Sequence, residues 1–265
     1  MNGAMPVGVS ELLIAASLVA LSAAVSMLLR LGLTRRIAIA SLRTAVQLLA
    51  VGYLLKIVFS VEAAWPVVVA LLAMTGVAGW SALGRVERSV PGAFGLALVS
   101  IALSAFVATG VVTQLALGIT PWYHAQYLIP LAGMVLGNSL TGISLAMDRL
   151  LAGLDEQREV VEERLAAGAT PWEAARPLIV VAVRAAMVPT LNAMTVAGIV
   201  SLPGMMTGQI LAGADPVQAV GYQIVIMFML CGATALGGML LGTLVFRSLL
   251  GPPGRIRFEV MTRRG

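Results

Sequence analysis

Seven apolar runs without polar alternation, each about 20 residues or longer, occupy most of this chain. They are Val9 to Leu29, Ile37 to Phe59, Ala63 to Leu83, Gly92 to Leu117, Tyr123 to Met147, Ala174 to Val200 and Val217 to Phe246. An α-helix of that length spans a bilayer core, where no water takes up an unpaired backbone group. Only helices and closed barrels satisfy that condition. Barrel strands are shorter and alternate in polarity, so helices are expected here. The fold class follows: an all-α, polytopic membrane bundle of seven transmembrane helices. The composition agrees, with 11% of residues charged against about 25% in a soluble domain. The whole length, 1–265, reads as a single transmembrane domain with no separate soluble module.

Basic residues orient the helices. Arg30, Arg35 and Arg36 lie between the first two runs, and Arg85 and Arg88 between the third and fourth. Arg149, Arg158, Arg164 and Arg176 follow the fifth, and Arg247, Arg255, Arg257, Arg263 and Arg264 follow the seventh. The alternate connections hold almost none; Lys56 is the exception. The positive-inside rule then puts the N-terminus outside and the C-terminus in the cytoplasm, with a bacterial inner (plasma) membrane as the expected location. This topology accounts for most of the net charge of +5. With few aromatic residues for base stacking, nucleic acid is not an expected partner, whereas membrane lipid is. The start, Met-Asn-Gly-Ala-Met-Pro, lacks a basic n-region, so no cleaved signal is expected.

One long hydrophilic insertion, 148–176, falls on the cytoplasmic side. Leu150, Leu154, Val161 and Leu165 recur at helical spacing among Glu156, Arg158, Glu159, Glu162, Glu163 and Arg164. The spacing predicts an amphipathic helix that stops at Gly168. Thr170-Pro171-Trp172-Glu173 predicts a capped restart, with Thr170 as N-cap, Pro171 where a missing N–H costs nothing, and Glu173 closing a capping box. Thr120-Pro121-Trp122 suggests similar capping before the fifth helix. A solvated connector and a docking element for a soluble protein both fit this insertion. Its carboxylates argue against lying flat on an anionic membrane.

Ionisable residues inside spans are costly and point to function. Arg43 and Arg184 are the clear cases, and Asp148 and Glu173 are the available acids. The arginines either reach the interface and pair with Asp148, or line a watery vestibule. Gln47, Asn138 and Asn192 add polar groups that serve helix packing or a transport path. Pro189 frees a carbonyl near Ala185 and would turn polar atoms into the bundle. Between the last two spans, Ser201 to Pro216 gathers helix breakers (Pro203, Gly204, Gly208, Gly213 and Pro216) with Met205, Met206, Gln209 and Asp215. This segment is expected to be an external connector or gate, shaped by Pro203, Gly204 and Gly208. Its adjacent thioethers, Met205 and Met206, are candidate contacts for a soft metal ion. The single His124 and single Cys231 provide neither a His-pair metal site nor an internal disulfide. No phosphate-binding Gly-x-x-x-x-Gly-Lys-Ser/Thr and no nucleophile–base set is present, so an enzyme is not expected.

Arg43-Thr-Ala-Val-Gln47-Leu, Gly133-Met-Val-Leu-Gly-Asn-Ser139, Arg184 with Pro189-Thr-Leu-Asn192, and the whole Ser201–Pro216 block resemble the FetB-type permeases. These are membrane subunits of an iron-exporting ATP-binding-cassette transporter, with plant relatives linked to aluminium tolerance. The resemblance spans nearly the whole chain. It implies a permease without a cofactor of its own, assembled as two permeases with two separate cassette ATPases. It implies that 148–176 engages the ATPase, with Glu162, Glu163 and Gly168 in the coupling segment. It implies iron as cargo, with a sugar nucleotide as the alternative. A stand-alone secondary transporter and a non-transporting scaffold remain the other readings of the topology. The first usually shows internal repeats, and none is visible here.

Overall fold

The computed structural model describes residues 8–251 and 255–263. Seven helices among them are long and apolar enough to cross a membrane, as the runs predict. The chain divides into two compact units, 1–62 with 208–215, and 63–207 with 216–265.

The first unit is built on a helical hairpin, α1 (Val9–Leu28) and α2 (Thr34–Ser60). Its turn is set by sequence. Arg30 and Gly32 take left-handed backbone conformations. Ser26 Oγ accepts from the Leu33 N–H at 3.1 Å and sits 3.3 Å from Thr34 Oγ1. Ser26 is accordingly buried, while nearly every other side chain of α1 is exposed. A predominantly apolar exposed surface of this kind is what lipid covers.

The second unit holds α3 (Ala64–Leu83), a two-residue strand β1 (Arg88–Ser89) and α4 (Ala93–Gly110), which continues into a π-helical turn, Val111–Ala116. Then come α5 (Ala125–Glu156), α6 (Arg158–Ala166), α7 (Pro171–Val196), α8 (Gly204–Leu211), whose last residues fall in the first unit, and α9 (Pro216–Leu249). Three further short strands follow α9: β2 (Leu250–Gly251), β3 (Arg255–Ile256) and β4 (Thr262–Arg263). They pair antiparallel as β1 with β4 and β2 with β3.

The core of this unit lies among α4, α5, α7 and α9. Ala97, Ile101, Val135, Leu151, Ala182, Ala186, Ala233, Leu241 and Val245 are almost wholly enclosed. Small residues set how closely the helices approach. A Cβ on Gly142 would lie 2.7 Å from Thr234 Cγ2 and 3.1 Å from the Ala186 carbonyl oxygen. One on Gly242 would lie 2.9 Å from Ile179 Cγ2, and one on Gly237 would lie 3.0 Å from Ser104 Oγ. In lipid, where helices have no hydrophobic drive toward one another, such close backbone approach supplies the dispersion contact that holds them.

Four expectations are corrected. The amphipathic helix expected to end at Gly168 is split between two elements: α5 runs through 32 residues and past Asp148, breaks at Gln157, and α6 follows. Half of the Ser201–Pro216 segment is helical, since Gly204 through Leu211 form α8, and Gly213 takes a left-handed turn. Thr120 does not cap α5; His124 occupies the N-cap position, without a side-chain cap bond. The carboxyl end, read only as topological charge, folds back and buries Ile256 and Phe258.

The Gly142 contact gives a stability test. Gly142→Ala is expected to cost about 1–3 kcal/mol through overpacking. Gly137→Ala, which would meet nothing within 4 Å, is expected to cost nothing and to gain slightly from reduced chain entropy. Thermal unfolding of both variants in detergent distinguishes them.

Candidate transport path and cytoplasmic platform

Arg184 lies about 20 Å along α7 from its first residue, at 1.5 Å per residue. It is exposed at the surface of the second unit, as is Asn192. At about 100° per residue the two share a face, roughly 80° apart. Thr190 points the other way, buried, with its Oγ1 3.4 Å from Thr234 Oγ1 of α9. Pro177 and Pro189 are both contained within a continuous helix. The Pro189 turn therefore brings Thr190 inward and leaves Arg184 and Asn192 outward, contrary to the interior placement expected of them. Asn138 of α5 is half-buried, and its Nδ2 donates to the Met134 carbonyl at 3.0 Å. In the first unit, Arg43 and Gln47 sit four residues apart on one face of α2, both exposed.

No ion pair joins Arg184 to Asp148 or Glu173 among the described residues. Asp148 Oδ1 accepts weakly from the Glu87 N–H at 3.4 Å, and Glu173 is engaged by Thr170. The hydroxyls inside the bundle are mostly satisfied by their own helices. Ser104 donates to the Ser100 carbonyl at 2.7 Å, Thr113 to Thr109 at 2.8 Å, and Thr234 to Leu230 at 2.8 Å. Such back-bonded hydroxyls pack between helices without forming a continuous polar track.

The Met205–Met206 pair lies on α8. Met206 is buried, and Met205 packs partly against the core. Successive helix residues point about 100° apart, which separates the two thioethers. Pro203 precedes the helix and its carbonyl accepts from the Thr207 N–H at 3.0 Å. The residues expected at a gate thus form a short helix and its flanks, with Gly208, Gln209 and Asp215 assigned to the other unit.

The opposite end of the second unit is a charged platform. Leu150, Leu154 and Val161 are buried, as their helical spacing predicts, and Leu165 packs against the same core. Gly168 takes a left-handed conformation, and the Ala169 N–H reaches back to the Arg164 carbonyl at 3.0 Å, which closes α6. The Thr170–Glu173 capping box is present, with the Thr170 N–H donating to Glu173 Oε2 at 2.8 Å and the Glu173 N–H to Thr170 Oγ1 at 3.3 Å. Glu159, Glu162 and Glu163 are exposed on α6. Glu162 accepts from Arg158 Nε at 2.8 Å. That bond, with the nearby Glu162 charge, holds the Arg158 guanidinium above its ordinary pKa.

Sequence reasoning missed the tail's part in this platform. The Arg158 guanidinium lies 5.1 Å from the centroid of the buried Phe258 ring, and Arg88 Nε lies 3.1 Å from Asp155 Oδ2. With β1 and β4 paired, tail and α6 support each other. The alternation Arg255-Ile256-Arg257-Phe258 was the available signal, a two-residue period in which the apolar members turn inward.

Phe258→Ala should therefore raise hydrogen exchange across Arg158–Ala166 and 255–263 while leaving α4 and α9 protected, because a buried Phe contributes about 3–5 kcal/mol. Thr170→Ala is expected to weaken the start of α7 by about 1 kcal/mol, read as faster exchange confined to its first turn.

The family described as "Uncharacterised protein family (UPF0014)" matches residues 9–250. The chain is 37% identical over 218 residues to "UPF0014 membrane protein YjkA" of Bacillus subtilis, covering 82% of this chain and 86% of the relative. It is 35% identical over 205 residues to "Probable iron export permease protein FetB" of Escherichia coli, covering 77% and 78%. It is 34% identical over 197 residues to "Protein ALUMINUM SENSITIVE 3" of Arabidopsis thaliana, covering 74% and 71%. No solved structure matches the chain.

Proposed function

The chain belongs to the UPF0014 family of multi-pass membrane proteins, and from that membership we propose that it is the permease subunit of an ATP-driven exporter of metal ions, iron foremost. The observation that carries this reading is the acidic α6 platform joined to a span-rich chain 35% identical to a relative named as an iron export permease. The exposed carboxylates Glu159, Glu162 and Glu163 suit a basic surface on a soluble partner. A cassette ATPase is such a partner, and its ATP-driven closure would press on α6 and tilt α5 and α7. The basic connections put this platform in the cytoplasm and α8 outside.

Arg184 and Asn192 on α7, and Arg43 and Gln47 on α2, are exposed yet lie within spans. A lipid-facing arginine at mid-helix costs about 2.5–3.5 kcal/mol on insertion scales. A watery path covered by a second copy of the chain removes that cost, which favours two permeases with two ATPases. Within the second unit, Arg184, Asn192 and Asn138 are the residues assigned to such a path, with Pro203, Gly204, Met205 and Met206 at its outer end; Arg43, Gln47, Gly208, Gln209 and Asp215 are the corresponding candidates of the first unit.

Co-expression with a cassette ATPase followed by detergent purification is expected to yield a complex; failure to associate with any such ATPase removes the reading. In reconstituted vesicles, Glu162→Lys with Glu163→Lys is expected to leave insertion intact while ATP-driven iron efflux falls about tenfold or more, since like charges at a docking face cost several kcal/mol. Normal coupled efflux by this variant would remove α6 from the coupling role.

A further inference from the structure

Helix α6 is too short and too charged to hold its shape unaided. Its nine residues include Arg158, Glu159, Glu162, Glu163 and Arg164, and Val161 is the buried one. In water a helix shorter than about 12–15 residues is marginal by itself. Toward α7 it makes a weak bond, from Arg164 Nη1 to the Ala174 carbonyl at 3.4 Å. A second support is the carboxyl-terminal segment 255–263. The Arg158 guanidinium lies over the Phe258 ring. Phe258 and Val161 belong to one buried apolar cluster, against which Val260 and Met261 also pack.

The segment is tied down on both sides of Phe258. Before it, β3 pairs with β2 at the end of α9. The Arg257 N–H donates to the Leu249 carbonyl at 2.8 Å, and Arg257 Nη2 donates to the Ser248 carbonyl at 3.1 Å. After it, β4 pairs with β1, with Thr262 opposite Ser89. Strand β1 belongs to the connection between α3 and α4, whose Val86 and Val90 are buried. Arg88 of that strand reaches the end of α5, with Nε 3.1 Å from Asp155 Oδ2 and Nη2 3.9 Å from Glu156 Oε1. Its side chain is 11% exposed, so solvent competes little for the guanidinium. The tail thus leaves α9, props α6, and pairs with the strand that joins α3 to α4.

We propose that 255–263 is a strap that sets the pose of α6 for its soluble partner and makes α6 move together with the α3–α4 connection. Phe258 and Arg88 are then positioning residues. Phe258 holds α6 ready for docking, and Arg88 passes displacement between the end of α5 and β1, hence to α3 and α4. This role rests on the reading of α6 as the ATPase-facing helix, and assigns part of the coupling to a segment that does not carry the docking carboxylates. The strap stays closed through the cycle, because opening it exposes Ile256 and Phe258, which are 2% and 6% accessible. An unstrapped α6 acts only through its chain joints to α5 and α7, whereas a strapped one reaches α3, α4 and α9 as well.

The test has one arm without the ATPase and one with it. Residues opposite each other in an antiparallel ladder are about 4.5–5.5 Å apart at Cα, within disulfide reach. Ser89→Cys with Thr262→Cys, combined with Cys231→Ala to remove the one native thiol, is expected to crosslink on mild oxidation of the purified full chain in detergent. Oxidation is expected to slow hydrogen exchange across Arg158–Ala166 at least about threefold relative to the reduced form. No crosslink, or a crosslink without slower exchange in α6, overturns the strap. In the second arm the full chain is reconstituted with a co-expressed cassette ATPase and iron. Phe258→Ala is expected to weaken ATPase binding at least about tenfold. Phe258→Leu, which keeps most of the buried volume, is expected to stay within about threefold of the wild type. Arg88→Gln is expected to leave that affinity within about twofold while iron exported per ATP hydrolysed falls at least about fivefold, a split that general unfolding does not produce. Unchanged affinity in Phe258→Ala removes the positioning of α6, and unchanged coupling in Arg88→Gln removes the link to the α3–α4 connection. Efflux that stops when the cysteine pair is oxidised and returns on reduction overturns the closed strap. A crosslink that slows exchange in α6, combined with a wild-type chain that binds no cassette ATPase, leaves the strap standing and overturns the exporter reading.

Discussion

Helices α5, α7 and α9 can touch because their contact points carry almost no side chain. Gly142 faces the Ala186 backbone, Gly238 faces the Ala186 methyl, and Gly242 faces Ile179. Lipid tails are as apolar as leucine, so burying apolar surface gives these helices no reason to associate. Short-range dispersion has to serve instead, and it fades within an ångström of separation. Close backbone approach at these glycines is thus the condition on which the rest of the second unit depends. It fixes the helix axes, and through them the platform at one end.

A core packed this closely has no room for a charged group. The bundle interior admits hydroxyls that return to carbonyls of their own helices, such as Ser104, Thr113 and Thr234, and the Arg184 guanidinium lies outside it. Arg184 and Asn192 occupy an outer face of α7. The same argument separates Thr190 from its neighbours in sequence: two residues from Asn192, it lies on the buried side of α7.

What sequence disclosed and what it hid follow one division. Features written within a single helix were legible. The seven spans, the Thr170–Glu173 box and the inward Leu150–Leu154 pair each depend on spacing along one element. Features that depend on a distant partner were not. Gly142 is one of 28 glycines, and nothing local marks it as the one opposite Ala186. The tail acquires meaning only when Phe258 meets Arg158, a hundred residues earlier. The Ser201–Pro216 segment misled in another way, because Pro203 and Gly204 read as breakers when they stand at the start of a helix, where proline and glycine are tolerated. Whether a polar face looks inward or outward is likewise invisible in one helix that is apolar nearly all round, as α7 is.

The uninterrupted length of α5 has a mechanical meaning. Its 32 residues make a rod of about 48 Å at 1.5 Å per residue, with His124 at one tip and Glu156 at the other. It approaches α7 and α9 at Gly142, near its midpoint, so the tilt of two long arms is set by one narrow contact, and a side chain added there would displace both tips. Pro130, about one turn from the far tip, leaves the Gln126 carbonyl without its usual helical partner.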